Sequence, residues 1–343
     1  VSLVDFATKF VDIYYLGNGT DTMNINPYLK LLGFSDTDRV LVSHADDVGM
    51  CHATIAGFIE LYESECVNSG SVMAPCSWLP TLGNYCKKHP KTDLGVHLTF
   101  TSEWQQYRWR PLSTVTSDSG LIDSQGYFFS TTEEVQTHAR PEAIYHEVVA
   151  QINHAQCSGI DVSHIDMHMG AMLHPNFLPA YLKAGHAFSL PMFAYAMPEQ
   201  ALKKWNNPEL AKKITTVLQG IREEGYPVMD GLYQTDLNKP ETRLEEVTEM
   251  IKALKPGLTH FITHPAVNSE ELKAVTPDWA GRVADYELLK SQAYKKLLKD
   301  NGIHLSGDRE LRSRLRAETQ SHVNEEPQRE VKKEPQREFN REP

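Results

Sequence analysis

The chain has 343 residues, of which 41% are hydrophobic and 23% are charged, and its formal net charge at pH 7 is −11. These proportions are those of an ordinary globular protein and exclude a chain that is disordered throughout. The acidic balance argues against nucleic-acid binding, which needs clustered Lys and Arg, and no apolar run reaches the roughly 18 residues of a membrane helix. The five cysteines include no CxxC pair, so we expect reduced thiols in a cytoplasmic protein.

Residues 1–27 are predicted to form an N-terminal helical extension. Phe6, Phe10, Ile13 and Tyr14 recur on one face of a helix, which is typical of a segment that packs against a folded domain. Charged residues interrupt the apolar run, so the segment lacks the continuous core of a signal peptide. A targeting segment removed before the first residue stays an open alternative.

Between residues 28 and 315, short β-branched runs alternate with longer stretches of helical period. Repeated strand–helix–strand units predict one α/β domain with mostly parallel strands, in the form of a (β/α) barrel that is TIM-like or distorted. In chain order the predicted strands are RVLVSHADD, SGSVMAPC, DLGVHLTF, DVSHIDMHM, LTHFITHP and IHLSG, and the main helices between them are HATIAGFIELYESE, LPTLGNYCKKHP, PEAIYHEVVAQINHAQCSG, NFLPAYLKAGHAF, TRLEEVTEMIKALKPG and DYELLKSQAYKKLLKDNG.

Residues 316–343 differ in composition from this domain. The sequence EPQRE occurs at Glu326–Glu330 and again at Glu334–Glu338, charges of both signs are mixed, and almost nothing apolar is present. Such a segment cannot bury enough surface to fold, so it is predicted to be a solvated, disordered tail.

Three predicted strands end in residues that bind metals or move protons: HADD, GVHLTF and SHIDMHM. Active sites of parallel α/β sheets and barrels are built at these carboxyl ends. In SHIDMHM the side chains of His164, Asp166 and His168 alternate with Ile165 and Met167, so one face of the strand is polar. Three titratable groups on one buried face are costly unless they bind something or one another.

The strand ends together predict a metal site from Asp47, His97 and His168. Two imidazoles and one carboxylate can hold a divalent cation while leaving positions open for water and substrate. A cation would also explain why Asp46 and Asp47 are adjacent, because one can bind the metal while its neighbour takes a proton from bound water. The alternatives are that the acid pair caps the following helix and that His97 is a hydrogen-bonded core residue.

Five segments in this order resemble the YdjC-like (ChbG/HpnK) carbohydrate deacetylase family. That family typically shows N/H-A-D-D-F/I-G, then G-x-H, then H-x-D-S-H, and a late C/T-H-P. The resemblance covers roughly residues 28 to 311, and the segments that carry it are HADDVGM, SGSVMAPCSWLP, DLGVHLTFTSEW, HIDMHMG and FITHPA.

The resemblance implies a hydrolase that removes acetyl groups from N-acetylated mono- or oligosaccharides. The family's cation is commonly Mg²⁺, although a ligand set rich in histidine equally suits Zn²⁺ or Mn²⁺. The roles carried over are those of general base for Asp46, metal ligands for Asp47, His97 and His168, and general acid for His264.

Four other residues of these motifs are neither predicted ligands nor the predicted acid or base. His164 and Asp166 share the ligand strand and are expected to orient His168 or to tune the base. His44 stands where many members have Asn, and Met167 replaces the Ser of H-x-D-S-H. Because neither is a ligand position, these departures bear on the substrate rather than on the chemistry, and His44 has no predicted role.

The loop SEWQQYRWRPLS follows the His97 strand and is expected at the rim of the site. Trp104 and Trp109, with Arg108, are candidates for a platform on which a sugar ring stacks, since carbohydrate has flat apolar faces and polar edges. Ordinary loop packing is the alternative.

Other functions are also compatible with these residues. A metal-dependent phosphoesterase or another amidohydrolase fits a similar barrel, and a sugar-binding protein without catalysis is a third interpretation. An Fe(II) oxygenase would use His164, Asp166 and His264, but such sites usually lie on all-β folds. No pattern decides the oligomeric state, and a homodimer stays open.

Overall fold

A computed structural model describes residues 26–196 and 208–325 of the chain. The predicted N-terminal helix and the repeats at the end of the chain lie outside the described residues. Within them, no helix combines the length and the apolar character that crossing a bilayer requires.

Strands and helices alternate through most of the described chain. The strands are β1 Arg39–Val48, β2 Ser69–Val72, β3 Leu94–Leu98, β4 Ile165–Met167, β5 Gly231–Gln234, β6 Gly257–Thr263 and β7 Ile303–Leu305. The α-helices are α1 Pro27–Leu31, α2 His52–Glu63, α3 Leu79–Lys88, α4 Thr132–His138, α5 Pro141–Ser158, α6 Leu178–Phe188, α7 Pro208–Glu223, α8 Arg243–Ala253, α9 Glu270–Val275, α10 Trp279–Lys290, α11 Gln292–Asp300 and α12 Asp308–Glu325.

The strands form one curled parallel sheet in the order β4-β3-β2-β1-β6-β5, with β7 paired to the first half of β1. The two edge strands are linked by the extended segment 191–196, since Ile165 bridges to Met192 and Tyr195 bridges to Met229. The sheet is therefore a parallel half-barrel whose edges are bridged. This confirms the prediction of a single α/β domain with a distorted, mostly parallel barrel.

The burial of β1 agrees with its position at the centre of this sheet. From Val40 onward the strand is buried on both faces, which is typical of a parallel strand covered by helices. Helix α2 packs its buried Ile55 and Phe58 against it. At Gly70 on β2 a Cβ atom would lie 2.7 Å from the Phe58 ring, so glycine permits this close approach.

The last helix corrects one predicted boundary. Helix α12 continues to Glu325, so residues 316–325 are helical rather than disordered. The first turns are held by Arg312, which donates two hydrogen bonds of 2.7 and 2.8 Å to the Asp161 carboxylate. Leu311 and Leu315 are buried on the same helix. Composition alone missed the helix because its anchors, two buried leucines and two arginines paired with Asp161, lie in the first turns of a segment that is otherwise polar.

Candidate metal centre and catalytic site

The carboxyl ends of β1, β3 and β4 bring together Asp47, His97 and His168. The Asp47 Oδ1 atom lies 3.0 Å from His168 Nδ1 and 3.4 Å from His97 Nε2. One ligand atom from each residue lies within 4.8 Å of the other two, and all three side chains are buried. The three predicted ligands therefore form one cluster.

The donor atoms of this cluster fit a divalent cation. Asp47 Oδ1 is buried, and although His168 Nδ1 and His97 Nε2 lie 3.0 and 3.4 Å away, neither is aligned to hydrogen-bond it within the described chain. A buried carboxylate oxygen in this state is costly unless something else satisfies it. The backbone of Asp47 has a φ of +57°, a left-handed conformation that costs about 1 kcal/mol or more in a residue with a Cβ. Such strain is often found at functional sites.

Arg282 holds the other oxygen of the Asp47 carboxylate. Its Nη1 donates to Asp47 Oδ2 at 2.8 Å, and Asp278 fixes the guanidinium with hydrogen bonds of 2.6 and 3.1 Å. Burial raises the pKa of the Asp47 carboxyl, but the positive charges of His168 and Arg282 outweigh it and hold that pKa well below its ordinary value. Asp47 is therefore ionised at neutral pH, as a metal ligand must be.

Glu103 fixes the second nitrogen of His168. It lies in the loop after β3, and its Oε1 accepts from His168 Nε2 at 3.0 Å. Burial lowers the pKa of the His168 ring, but Glu103 and Asp47 raise it to about 9. Carboxylates in this position commonly orient a metal-binding imidazole and increase its basicity.

Replacing Glu103 by Gln is expected to weaken divalent-cation binding about tenfold. The amide can still accept a hydrogen bond from His168 but lacks the charge that makes the ring basic. Isothermal titration with Mn²⁺ measures the change, and Glu133→Gln on the exposed face of α4 is the matched control. Equal affinity in the two variants would show that Glu103 does not act through His168.

Asp46 points its carboxylate into the same space. Its Oδ2 lies 3.8 Å from His97 Nε2 and 4.0 Å from His264 Nε2, while His44 Nδ1 lies 2.8 Å from Oδ1. Burial raises the pKa of Asp46, but the neighbouring His97 and His44 rings lower it more, so the group is ionised. An ionised carboxylate with one oxygen left without a close donor can act as a general base.

His264 follows the end of β6, and its backbone N–H donates to Asp285 Oδ2 at 2.8 Å. Its Nδ1 has no hydrogen-bond partner within the described chain. Burial lowers the pKa of the ring, so His264 is neutral at pH 7. Its position beside Asp46 agrees with a role in proton transfer.

Asp166 orients a different histidine from the one expected. It lies beside His97 in the parallel register of β3 and β4, and its Oδ1 accepts from His97 Nδ1 at 2.8 Å. This contact turns His97 Nε2 towards Asp47. Of the two expected roles, orienting His168 is not the contact observed. The other, tuning the base, agrees with the negative charge of Asp166, which, like burial, acts to raise the pKa of the Asp46 carboxyl.

The comparisons with known proteins identify the family of the chain. The family described as YdjC-like protein matches residues 40–300. This chain belongs to the YdjC-like family. The carbohydrate deacetylase of Thermus thermophilus is 33% identical over 261 residues, covering 76% of this chain and 89% of the relative. The carbohydrate deacetylase of Thermoanaerobacter pseudethanolicus is 22% identical over 268 residues, covering 78% and 97%.

A solved structure shares the fold of this YdjC-like chain. It comes from Enterococcus faecalis V583 and is provisionally described as a cellobiose-phosphate cleavage protein. The TM-score is 0.65 at 23% identity, with 80% of this chain and 99% of the other covered.

The predicted aromatic platform of the YdjC-like chain is mostly structural. The Trp109 side chain is buried and its Nε1 donates to Thr101 O at 2.8 Å, while Arg108 pairs with Asp123 at 2.7 Å. Neither presents a surface on which a sugar can stack. Trp104 is less buried, and the Arg282 guanidinium lies 6.0 Å from the centre of its ring, so of the three it is the residue beside the predicted ligands.

His164 stabilises this YdjC-like fold most strongly in its charged form. Burial lowers the pKa of the ring, but Asp308 and Asp166, at 3.7 and 3.8 Å, raise it to about 9. A folded-state pKa above the unfolded value of about 6.5 means that the contribution is complete below pH 6.5 and is lost as the pH rises through about 9. We expect the free energy of unfolding to fall in this window by up to about 1.4 kcal/mol per pH unit.

Urea unfolding between pH 6 and 10 checks this expectation. His164→Gln lacks the titrating ring, so the difference in stability between it and the unaltered protein should shrink as the pH rises. A difference that is constant over the whole range would contradict the assignment of charge to His164.

Two contributing residues were missed by sequence reasoning. Arg282 lies 235 positions from Asp47, and nothing in its surrounding sequence marks it as a partner of the site. Glu103 was weakly indicated by the sequence, because it is an acid shortly after His97 in a loop expected at the rim of the site.

Proposed function

We propose that this protein is a metal-dependent carbohydrate deacetylase that hydrolyses the acetamide of N-acetylated mono- or oligosaccharides and releases acetate. The main support is the arrangement of Asp46 Oδ2 beside a buried cluster of one carboxylate and two imidazoles. The names of the YdjC-like relatives support the substrate class.

Asp47, His97 and His168 are the residues proposed to hold the cation. A carboxylate suits Mg²⁺ and imidazoles suit Zn²⁺, so we propose Mg²⁺ with Mn²⁺ and Zn²⁺ as alternatives. When bound, a divalent cation would polarise the acetyl carbonyl and lower the pKa of a water molecule. Arg282 and Glu103 keep the carboxylate and one imidazole in place.

Asp46 is the proposed general base. Its ionised Oδ2 accepts a proton from the attacking water while the water oxygen bonds to the acetyl carbon. The contact from His44 occupies Oδ1, so the two oxygens have different tasks. The step consumes water and ends with the proton on Asp46.

His264 is the proposed proton donor to the departing amine. It is neutral at rest because burial lowers its pKa, so it must first receive a proton. Asp46 Oδ2, 4.0 Å from His264 Nε2, can supply it after taking the proton of the attacking water. As the bond between the acetyl carbon and the sugar nitrogen breaks, this proton passes to the nitrogen and Asp46 returns to its ionised form.

An acetate-release assay tests the proposal. The protein is incubated with N-acetylated mono- and oligosaccharides and with Mg²⁺, Mn²⁺, Zn²⁺ or a chelator, and hydrolysis of p-nitrophenyl phosphate is followed in parallel. Acetate release that requires a cation is the expected result. Phosphate release without acetate would favour the phosphoesterase, and sugar binding without either product would favour a binding protein.

A further inference from the structure

The side chain of His44 contacts the proposed base, Asp46, and is completely buried. It precedes Asp46 by two residues on β1, so both side chains point to the same face of the strand. Its Nδ1 lies 2.8 Å from Asp46 Oδ1 and its Nε2 lies 3.1 Å from His164 Nε2. The backbone beside it is fixed as well, because Thr263 donates to the His44 carbonyl at 2.8 Å.

The direction of these hydrogen bonds follows from the acid at one end. An ionised carboxylate can only accept, so the hydrogen of His44 must be on Nδ1. Only one hydrogen fits between His44 Nε2 and the nitrogen 3.1 Å away from it, His164 Nε2. The charged form of His164, favoured by Asp308, carries a hydrogen on that nitrogen. The hydrogen bonds are therefore donated in one direction, from His164 to His44 and from His44 to Asp46.

These hydrogen bonds give the two oxygens of Asp46 different surroundings. Oδ1 accepts from His44, whereas Oδ2 lies 3.8 Å from His97 Nε2 and 4.0 Å from His264 Nε2, beyond hydrogen-bond distance. We propose that His44 is a positioning residue that holds the Asp46 carboxylate so that Oδ2 faces the reacting water, and that His164 fixes the tautomer of His44 for this purpose. The inference rests on the proposed function, in which Asp46 is the base.

A second metal site is the rival explanation of this cluster. His44, His164 and Asp308 lie close enough to share a cation. Both nitrogens of His44 are already used, however, one by Asp46 and the other by His164. A cation would have to break the contact between the rings, so the hydrogen-bonded chain accounts for the arrangement with fewer changes.

Two variants of His44 separate positioning from packing. In His44→Asn the side-chain amide lies where Nδ1 was and still donates to Asp46, but it cannot reach His164. In His44→Ala the donor is gone. We expect kcat of His44→Ala to fall about tenfold to a hundredfold with KM and Mn²⁺ affinity unchanged, since misplacing a reacting group by about 1 Å costs this much. His44→Asn should stay within about threefold of the unaltered enzyme.

His260→Ala is the matched control for lost volume. This ring is buried at 4.6 Å from the ring of His44, on the adjacent strand β6, and has no hydrogen bond to Asp46. A loss of kcat in His260→Ala equal to that in His44→Ala would overturn the proposal, because packing alone would then explain both. Wild-type kcat in His44→Ala would also overturn it, while leaving the deacetylase function itself intact.

Nitrogen NMR of ¹⁵N-histidine-labelled protein tests the inference without any sugar. The His44 signals are assigned by their absence in His44→Asn. The expected result is a ring that carries its hydrogen on Nδ1 and not on Nε2. The opposite tautomer would overturn the proposal even if the acetate assay finds no substrate, so failure of the function and failure of the inference are distinguishable.

Discussion

Asp46→Asn is expected to lower kcat by a factor of about 10² to 10⁴, the usual contribution of a general base. Asparagine has nearly the same shape and can still accept the hydrogen bond from His44, but it cannot take a proton from water. The cation should still bind, because the proposed ligands Asp47, His97 and His168 are unchanged. Acetate release gives kcat, and isothermal titration with Mn²⁺ gives the affinity.

The result separates three roles for the acid. Asp36→Asn is the matched control, since it makes the same chemical change at an exposed position in the turn before β1. Full activity in Asp46→Asn would show that another group is the base. Loss of Mn²⁺ binding together with activity would instead make Asp46 a metal ligand.

The cluster itself was predictable from the sequence because parallel strands gather their carboxyl ends at one edge. Asp47, His97 and His168 each lie at the end of a strand that the apolar pattern already marked. No knowledge of contacts was needed, since the topology of a parallel sheet places such residues side by side. The alternation in SHIDMHM likewise predicted that Asp166 faces the site.

The groups that orient the ligands could not be predicted in the same way. Arg282 reaches Asp47 from α10, and this contact depends on how that helix packs rather than on any local pattern. The partner of Asp166 was set by the register between β3 and β4, which pairs it with His97. Composition also did not show which side of a loop faces solvent, and Trp109 therefore looked like a binding residue although it is buried.

Binding of a divalent cation is expected to stabilise the folded protein, because only the folded chain gathers the three ligands. At a free concentration about one hundred times the Kd, the gain is about 2.7 kcal/mol. His168→Ala should abolish this gain, since it leaves one imidazole and one carboxylate. The protein should still fold, because Asp47 keeps its ion pair with Arg282 at 2.8 Å and is not left as an unpaired buried charge.

Thermal unfolding with and without Mg²⁺, Mn²⁺ or Zn²⁺ measures this gain, and each variant is compared with its own cation-free state. His174→Ala is the matched control, because it removes the same ring a few positions later, where the side chain accepts from the backbone N–H of Asn176 at 3.3 Å and lies edge-on to the Phe177 ring. A cation-induced rise in Tm that survives His168→Ala would place the cation elsewhere, and the His44 cluster would be the next candidate. A rise lost in both variants would mean that the loop after β4, rather than one ligand, governs binding.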